Sequence, residues 1–262
     1  MDIGLQTYTV RTLLRTPAQL DQTFGQLAGM GIRQLELAAD YLPQPFSPAS
    51  ARSIAAAANR HGLRILSCQL KYRTAAADPA RTAESLRILG ARILTNSVID
   101  LRLLRQGSAG AALYGARLNA LRDRLLPEGV ELIHHNHHYE FLRPDGRPVL
   151  EILAETFAGG FALDTYWCQK GGGNILTLLE TFAGRVPLLH LRDYQIKPFG
   201  LFGGGTDAAL GQGNIPFPAV LRAAEQAGVR AGMIEQHTAR PLEEIRRSLA
   251  HLQTIDHEMG VL

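Results

Sequence analysis

Residues 27–39 read LAGMGIRQLELAA, and their order sets the architecture: the end of an amphipathic helix, a glycine, one or two residues, then a short apolar run. Glycine reaches the left-handed backbone that closes a helix C-terminus at little steric cost. The run after it is too short for a helix and suits a strand buried on both faces. Working outward, the same unit returns as AANRHGLRILSCQL (57–70), LRILGARILTNSV (86–98), LLPEGVELIHHNH (125–137), TFAGGFALDTYW (156–167), TFAGRVPLLHLRD (181–193) and AEQAGVRAGMIEQ (224–236). With the opening DIGLQTYTV (2–10) these make eight strands. Strands alternating with helices pair in parallel through right-handed crossovers, so eight units in this length predict one closed (β/α)₈ TIM barrel over residues 1–262. A doubly wound sheet is disfavoured. No strand runs into a GxGxxG turn, and polar residues end many strands instead of gathering at one switch point.

The 262 residues carry a formal charge of only +3, with Lys and Arg in ones and twos, so neither nucleic-acid binding nor a membrane surface is expected. Cys68 and Cys168 lack metal or redox spacing and read as small apolar filler, which together with an N-terminus unlike a signal peptide predicts a cytoplasmic protein. No apolar stretch approaches the ~20 residues of a membrane span. The glycine-rich stretch 195–217 reads as a long functional loop after strand seven, able to close over a ligand.

In such a barrel the residues ending each strand point into the mouth. Here they are Gln6 and Tyr8, Glu36, Gln69, Asn96, the segment HHNHHYEF (134–141), Asp164, His190 with Asp193, and Glu235 with His237. Carboxylates from strands five, six and eight with an imidazole from strand seven would form a mixed oxygen and nitrogen cage, suited to Mn²⁺, Mg²⁺, Co²⁺ or Zn²⁺. So many ionisable groups at the ends of apolar strands are costly to desolvate unless a cation or substrate compensates them. Strand alternation turns His135 and His137 to one side and His134, Asn136 and His138 to the other. The ligand from strand five is read as Glu140, with His135 or His137 taking its place if the strand stops early. Trp167 is either core or an aromatic floor for a sugar ring.

The motifs HNHHYEF (135–141), LDTYW (163–167), HLRD (190–193), GQGNIPFPAVL (211–221) and MIEQ (233–236) together resemble the sugar phosphate isomerase/epimerase group of the xylose isomerase-like barrels, over essentially the whole chain. The resemblance implies one divalent ion held by Glu140, Asp164, His190 and Glu235, and a small sugar, keto-sugar or inositol derivative as substrate. Relatives include isomerases, epimerases, dehydratases and lyases, and a distant branch that repairs abasic DNA with several zinc ions. Three departures stand out: His138 where Asp is common, Arg192 where Lys is frequent, and Gln212 where Glu is frequent. The expected chemistry is isomerisation or epimerisation through a metal-stabilised enediolate, with Glu140 and Glu235 exchanging the proton from opposite faces. Expulsion of a β-hydroxyl from the same intermediate would make a dehydratase. Gln212 also leaves open a sugar-binding barrel without turnover. Glu36, Gln69, His135, His137, Trp167, Arg192 and His237 are the expected substrate contacts, Arg192 alternatively serving a structural ion pair. The substrate is read as unphosphorylated or oxidised, and self-association as a homo-oligomer is left open.

Overall fold

The computed structural model describes residues 1–197 and 204–260. Eight parallel strands close a barrel: β1 (Asp2–Gln6), β2 (Gln34–Ala38), β3 (Arg64–Leu70), β4 (Ile93–Asn96), β5 (Glu131–His135), β6 (Gly160–Asp164), β7 (Leu188–Leu191) and, after an inserted hairpin, β10 (Ala231–Ile234), which closes on β1. The barrel expected from the repeated unit is therefore present. The inserted hairpin is the difference. Running into the stretch read as a loop, β8 (Asp193–Ile196) pairs antiparallel with β9 (Gly205–Ala208), Asp193 opposite Ala208. Residues 198–203 of that stretch lie outside the described residues, so its closing over a ligand lies outside them too.

Local signals account for the helices. The first opens on Thr16, whose hydroxyl accepts from Gln19 N, with Pro17 in its first turn; the second opens on a Ser47/Ser50 capping box with Pro48. Most of the punctuating glycines are left-handed, as at Gly90 (φ 72°) and Gly228 (φ 77°). Gly159 is the exception. It lacks a positive φ, and a Cβ there would lie 2.1 Å from Phe157 Cζ and 2.5 Å from Leu132 O, so close packing is what requires a glycine.

The apolar material forms two bodies. A large one fills the layer between strands and helices; a small one, Ile93, Ile133, Ala162, Leu188, Ala231 and Met233, plugs the barrel interior. Side chains alternate along a strand, so each plug residue has an inward neighbour two positions later: Thr95 above Ile93, His135 above Ile133, Asp164 above Ala162, His190 above Leu188, Glu235 above Met233. The register sets Asp164 beside His190, and His190 beside Met233, so Glu235 stands one inward step nearer the mouth in this polar layer.

Candidate active site

Four residues of that layer, His135, Asp164, His190 and Glu235, are buried and offer ligand atoms that all lie within 4.8 Å of one another. Asp164 divides its oxygens: Oδ1 accepts from Trp167 N (2.8 Å), starting the helix Thr165–Lys170, while Oδ2 faces His135 Nε2 (3.4 Å). His190 donates from Nε2 to Glu36 Oε2 (2.6 Å), which turns Nδ1 toward Glu235. Nδ1 and Glu235 Oε2 lie 2.9 Å apart yet are misaligned for a hydrogen bond, and both are buried without a partner. Two orphaned donor atoms aimed at one point, with a further carboxylate and imidazole around it, fit a divalent cation of the borderline or hard kind.

Electrostatics divides the histidines. Burial and the neighbouring His190 push His135 down to about 3, and burial first, then His135, push His137 to about 3, so both imidazoles are neutral. Burial disfavours charge on His190 as well, but Glu36 and Glu235 outweigh it and hold it up to about 10. Glu235 is kept well below the usual carboxylate range: burial would raise it, and Arg192 and His190 overcome that.

The expected ligand Glu140 is not in this group. β5 ends at His135, and the chain turns through a 3-10 segment, His138–Phe141, that carries Glu140 to the outward side of the strand. There it is fully buried, accepting from His134 Nε2 (2.9 Å) and from His137 N (2.8 Å). Asn96 Nδ2 donates to His134 Nδ1 (2.8 Å), so His134 is part of a brace between β4, β5 and the turn. His135 takes the place in the cage, as the shorter strand requires.

A cavity of ≈ 180 Å³ opens above the cage, its walls including Tyr8, Tyr41, Gln69, His137, Glu235 and His237. Gln69, held by Gln6 Nε2 (2.7 Å), His135, His137, Arg192 and His237 line this cavity. Glu36 does not. Its oxygens are occupied by Thr95 Oγ1 (2.5 Å) and His190 Nε2 (2.6 Å), and it is fully buried beneath the cage. Trp167 is likewise outside the cavity lining, its ring packed 5.0 Å from His137 and 5.2 Å from His138. The aromatic wall is instead Tyr8 and Tyr41, edge to face at 4.7 Å, with His237 against Tyr8. Tyr41 and Lys71 were not foreseen from sequence, because they sit in the loops after β2 and β3, where no periodicity operates. Gln212 lies exposed in its loop, away from the cavity lining, so a glutamate's absence there takes nothing from the cage. Asp207, inside a glycine-rich run that carries no pattern, grips Arg192 through both oxygens (2.9 and 3.0 Å). A larger groove of ≈ 550 Å³ lies on the outer wall between the first two helices, bounded by Pro17, Leu42 and Ile54 among others, with no ligand cluster among the described residues.

A closed barrel of parallel strands with a carboxylate and imidazole cage at the strand C-termini defines a TIM barrel with a metal-type site. The chain belongs to the xylose isomerase-like TIM barrel family, whose model matches residues 24–255. Among solved structures it is similar to a sugar phosphate isomerase/epimerase from Parabacteroides distasonis (TM-score 0.77, 19% identity, covering 96% of this chain and 97% of that one). It is also similar to a probable 3-DHS dehydratase, AsbF, from Bacillus anthracis (TM-score 0.70, 10% identity, 97% and 99% covered) and to the IolI protein with a bound zinc atom (TM-score 0.71, 17% identity, 100% and 99% covered). At these identities the likeness is one of fold. No curated protein sequence matches the chain. Among the described residues no helix is long and apolar enough to cross a membrane.

Proposed function

We propose that the protein is a divalent-metal-dependent sugar isomerase that relocates a carbonyl along a sugar or keto-sugar by moving a proton at the adjacent carbon, with His135, Asp164, His190 and Glu235 as the metal ligands. The observation that carries this is Glu235: among the described residues it is the carboxylate that both belongs to the cage and lines the cavity. When bound, the cation would polarise the substrate carbonyl and stabilise the charge that develops on deprotonation.

Glu235 is the proton carrier. Arg192 Nη1 (3.3 Å) and His190 beside it keep it ionised, and an ionised carboxylate facing the cavity can take a proton from carbon and return it one atom further on. One carrier working on one face relocates a carbonyl. Inversion at carbon calls for a second carrier on the opposite face, and Glu140, expected there, is engaged in the brace; this favours isomerisation over epimerisation. His137, neutral and with Nδ1 unpartnered, can receive a substrate hydroxyl, and Gln69 and His237 supply further polar contacts. Tyr8 and Tyr41 offer ring faces to sugar C–H groups and shield the site from water. The small cavity, aromatic on one side and cationic at Lys71 and Arg192, suits a compact unphosphorylated or oxidised sugar.

A dehydratase is the second reading. It is favoured by His237, whose Nε2 lies 3.6 Å from Glu235 Oε1 and which can carry a proton to a departing hydroxyl. The test is to strip the protein, reconstitute it with Mn²⁺, Co²⁺ or Zn²⁺, and incubate it with aldoses, ketoses and keto-acids in D₂O. Isomerase activity gives interconversion with deuterium at the carbon beside the carbonyl; dehydration gives an enone absorbance. Metal-loaded protein that does neither refutes both and leaves a sugar-binding barrel.

A further inference from the structure

Arg192 is among the largest side chains buried in the molecule, at 1% exposure, and its surroundings are anionic on every polar side. It lies two residues beyond His190 and therefore on the same inward face. Nε and Nη2 hold Asp207 of the inserted hairpin at 2.9–3.1 Å. Nη1 points the opposite way, to Glu235 Oε1 (3.3 Å) and Asp164 Oδ2 (3.4 Å). The rings of Tyr166 and Trp167 lie 4.8 and 5.0 Å from the guanidinium carbon, fixing its plane. Asp164 and Glu235 are two of the four residues of the cage, so the cage has a permanent cation directly against it.

We propose that Arg192 is a built-in counter-cation of the metal cage: it holds Asp164 and Glu235 in place in the metal-free protein and weakens their grip on a divalent ion. The inference rests on the metal-dependent reading above. Its direction comes from charge and from shared lone pairs. Asp164 Oδ2, the oxygen turned to His135, is also the one that accepts from Nη1, and a fixed positive charge a few ångströms from a second cation repels it in a poorly screened interior. A cage assembled without metal, and holding metal loosely, would exchange its ion readily. A lysine could neutralise the cage too, but only the guanidinium fork spans Asp207 and the two cage carboxylates at once.

The test is calorimetric titration of metal-stripped wild type, Arg192→Gln and Arg192→Lys with Mn²⁺ and Zn²⁺, read in parallel by the fluorescence of Trp167, the sole tryptophan of the chain. Arg192→Gln is expected to bind the ion roughly tenfold or more tighter than wild type, and Arg192→Lys, which keeps the charge, within about threefold of it. The metal-free Gln variant should also melt below wild type and recover with metal. If it folds only when metal is present, the ion is replacing the lost cation, which supports the proposal; failure to fold even with metal overturns it. Equal or weaker affinity in Arg192→Gln, or a lysine variant tightened as much as the glutamine, overturns it while leaving the metal reading intact. No binding by wild type or either variant removes the metal reading itself, and the proposal with it.

Discussion

Replacing Glu140 by glutamine separates a ligand from a brace. Both carboxylate oxygens accept hydrogen bonds in a fully buried place, from His134 Nε2 and from the His137 amide. Glutamine keeps the shape but offers one acceptor, and its NH₂ then opposes one of the two donors. A buried donor left unsatisfied costs about 1–3 kcal/mol. For a chain of this size that corresponds to a fall in Tm of about 2–12 °C. Metal content, measured by elemental mass spectrometry on the reconstituted protein, is expected to stay at about one ion per chain, because the donor set of the cage is untouched. His135→Ala, measured beside it, should lose or loosen the ion. Catalysis in Glu140→Gln should fall as well, since the His137 amide it anchors positions a cavity-lining imidazole. Loss of the ion from Glu140→Gln with an unchanged Tm would refute the reasoning and return Glu140 to the cage.

Other expectations follow the same geometry. Glu36→Gln removes the carboxylate that orients His190 through Nε2 and should weaken metal binding about 10–100-fold by chelator competition while sparing substrate contacts; an unchanged affinity would deny Glu36 that role. His190 is held up to about 10 against an ordinary value of 6.5, so the stability it contributes to the metal-free protein is whole below pH 6.5 and is lost as pH climbs toward 10. The Tm of metal-free protein should decline across that window and that of metal-loaded protein, where the imidazole is a neutral ligand, should stay flatter; parallel curves would count against it. Asp193→Asn sets an amide against four backbone donors, those of Tyr194, Gly211, Gly213 and Ile215, and should loosen the 209–215 loop, seen as faster hydrogen exchange there. Tyr41, 48% exposed at the rim, should on truncation to Ala raise KM several-fold with a smaller change in kcat; a collapse of kcat alone would place it in the chemistry instead.

The barrel was legible in the chain because its signal is local and repeated: helix, glycine, short apolar strand, seven times over, with the glycine left-handed in every unit but that of Gly159. The level at which Asp164, His190 and Glu235 meet was legible for the same reason, since each ends an apolar run and alternation assigns its face. That His135 and His137 turn to the same side also follows from period two alone. Where β5 stops does not. The choice between His135 and Glu140 depended on a 3-10 turn held by His134 and, through it, by Asn96 of the adjoining strand. Glu36 sits at a strand end like any substrate contact, and only the side chains of Thr95 and His190 closing on it show that it serves the cage from below. Asp207 lies in a run of glycine and alanine with no pattern around it, and the antiparallel hairpin that carries it back onto Arg192 exists only in the folded chain. What the sequence by itself determined was periodic: the strands, their inward faces and the layer where charge collects. Only the tertiary structure decided where strands end and which side chains pair across the barrel, because those depend on contacts between segments far apart in the chain.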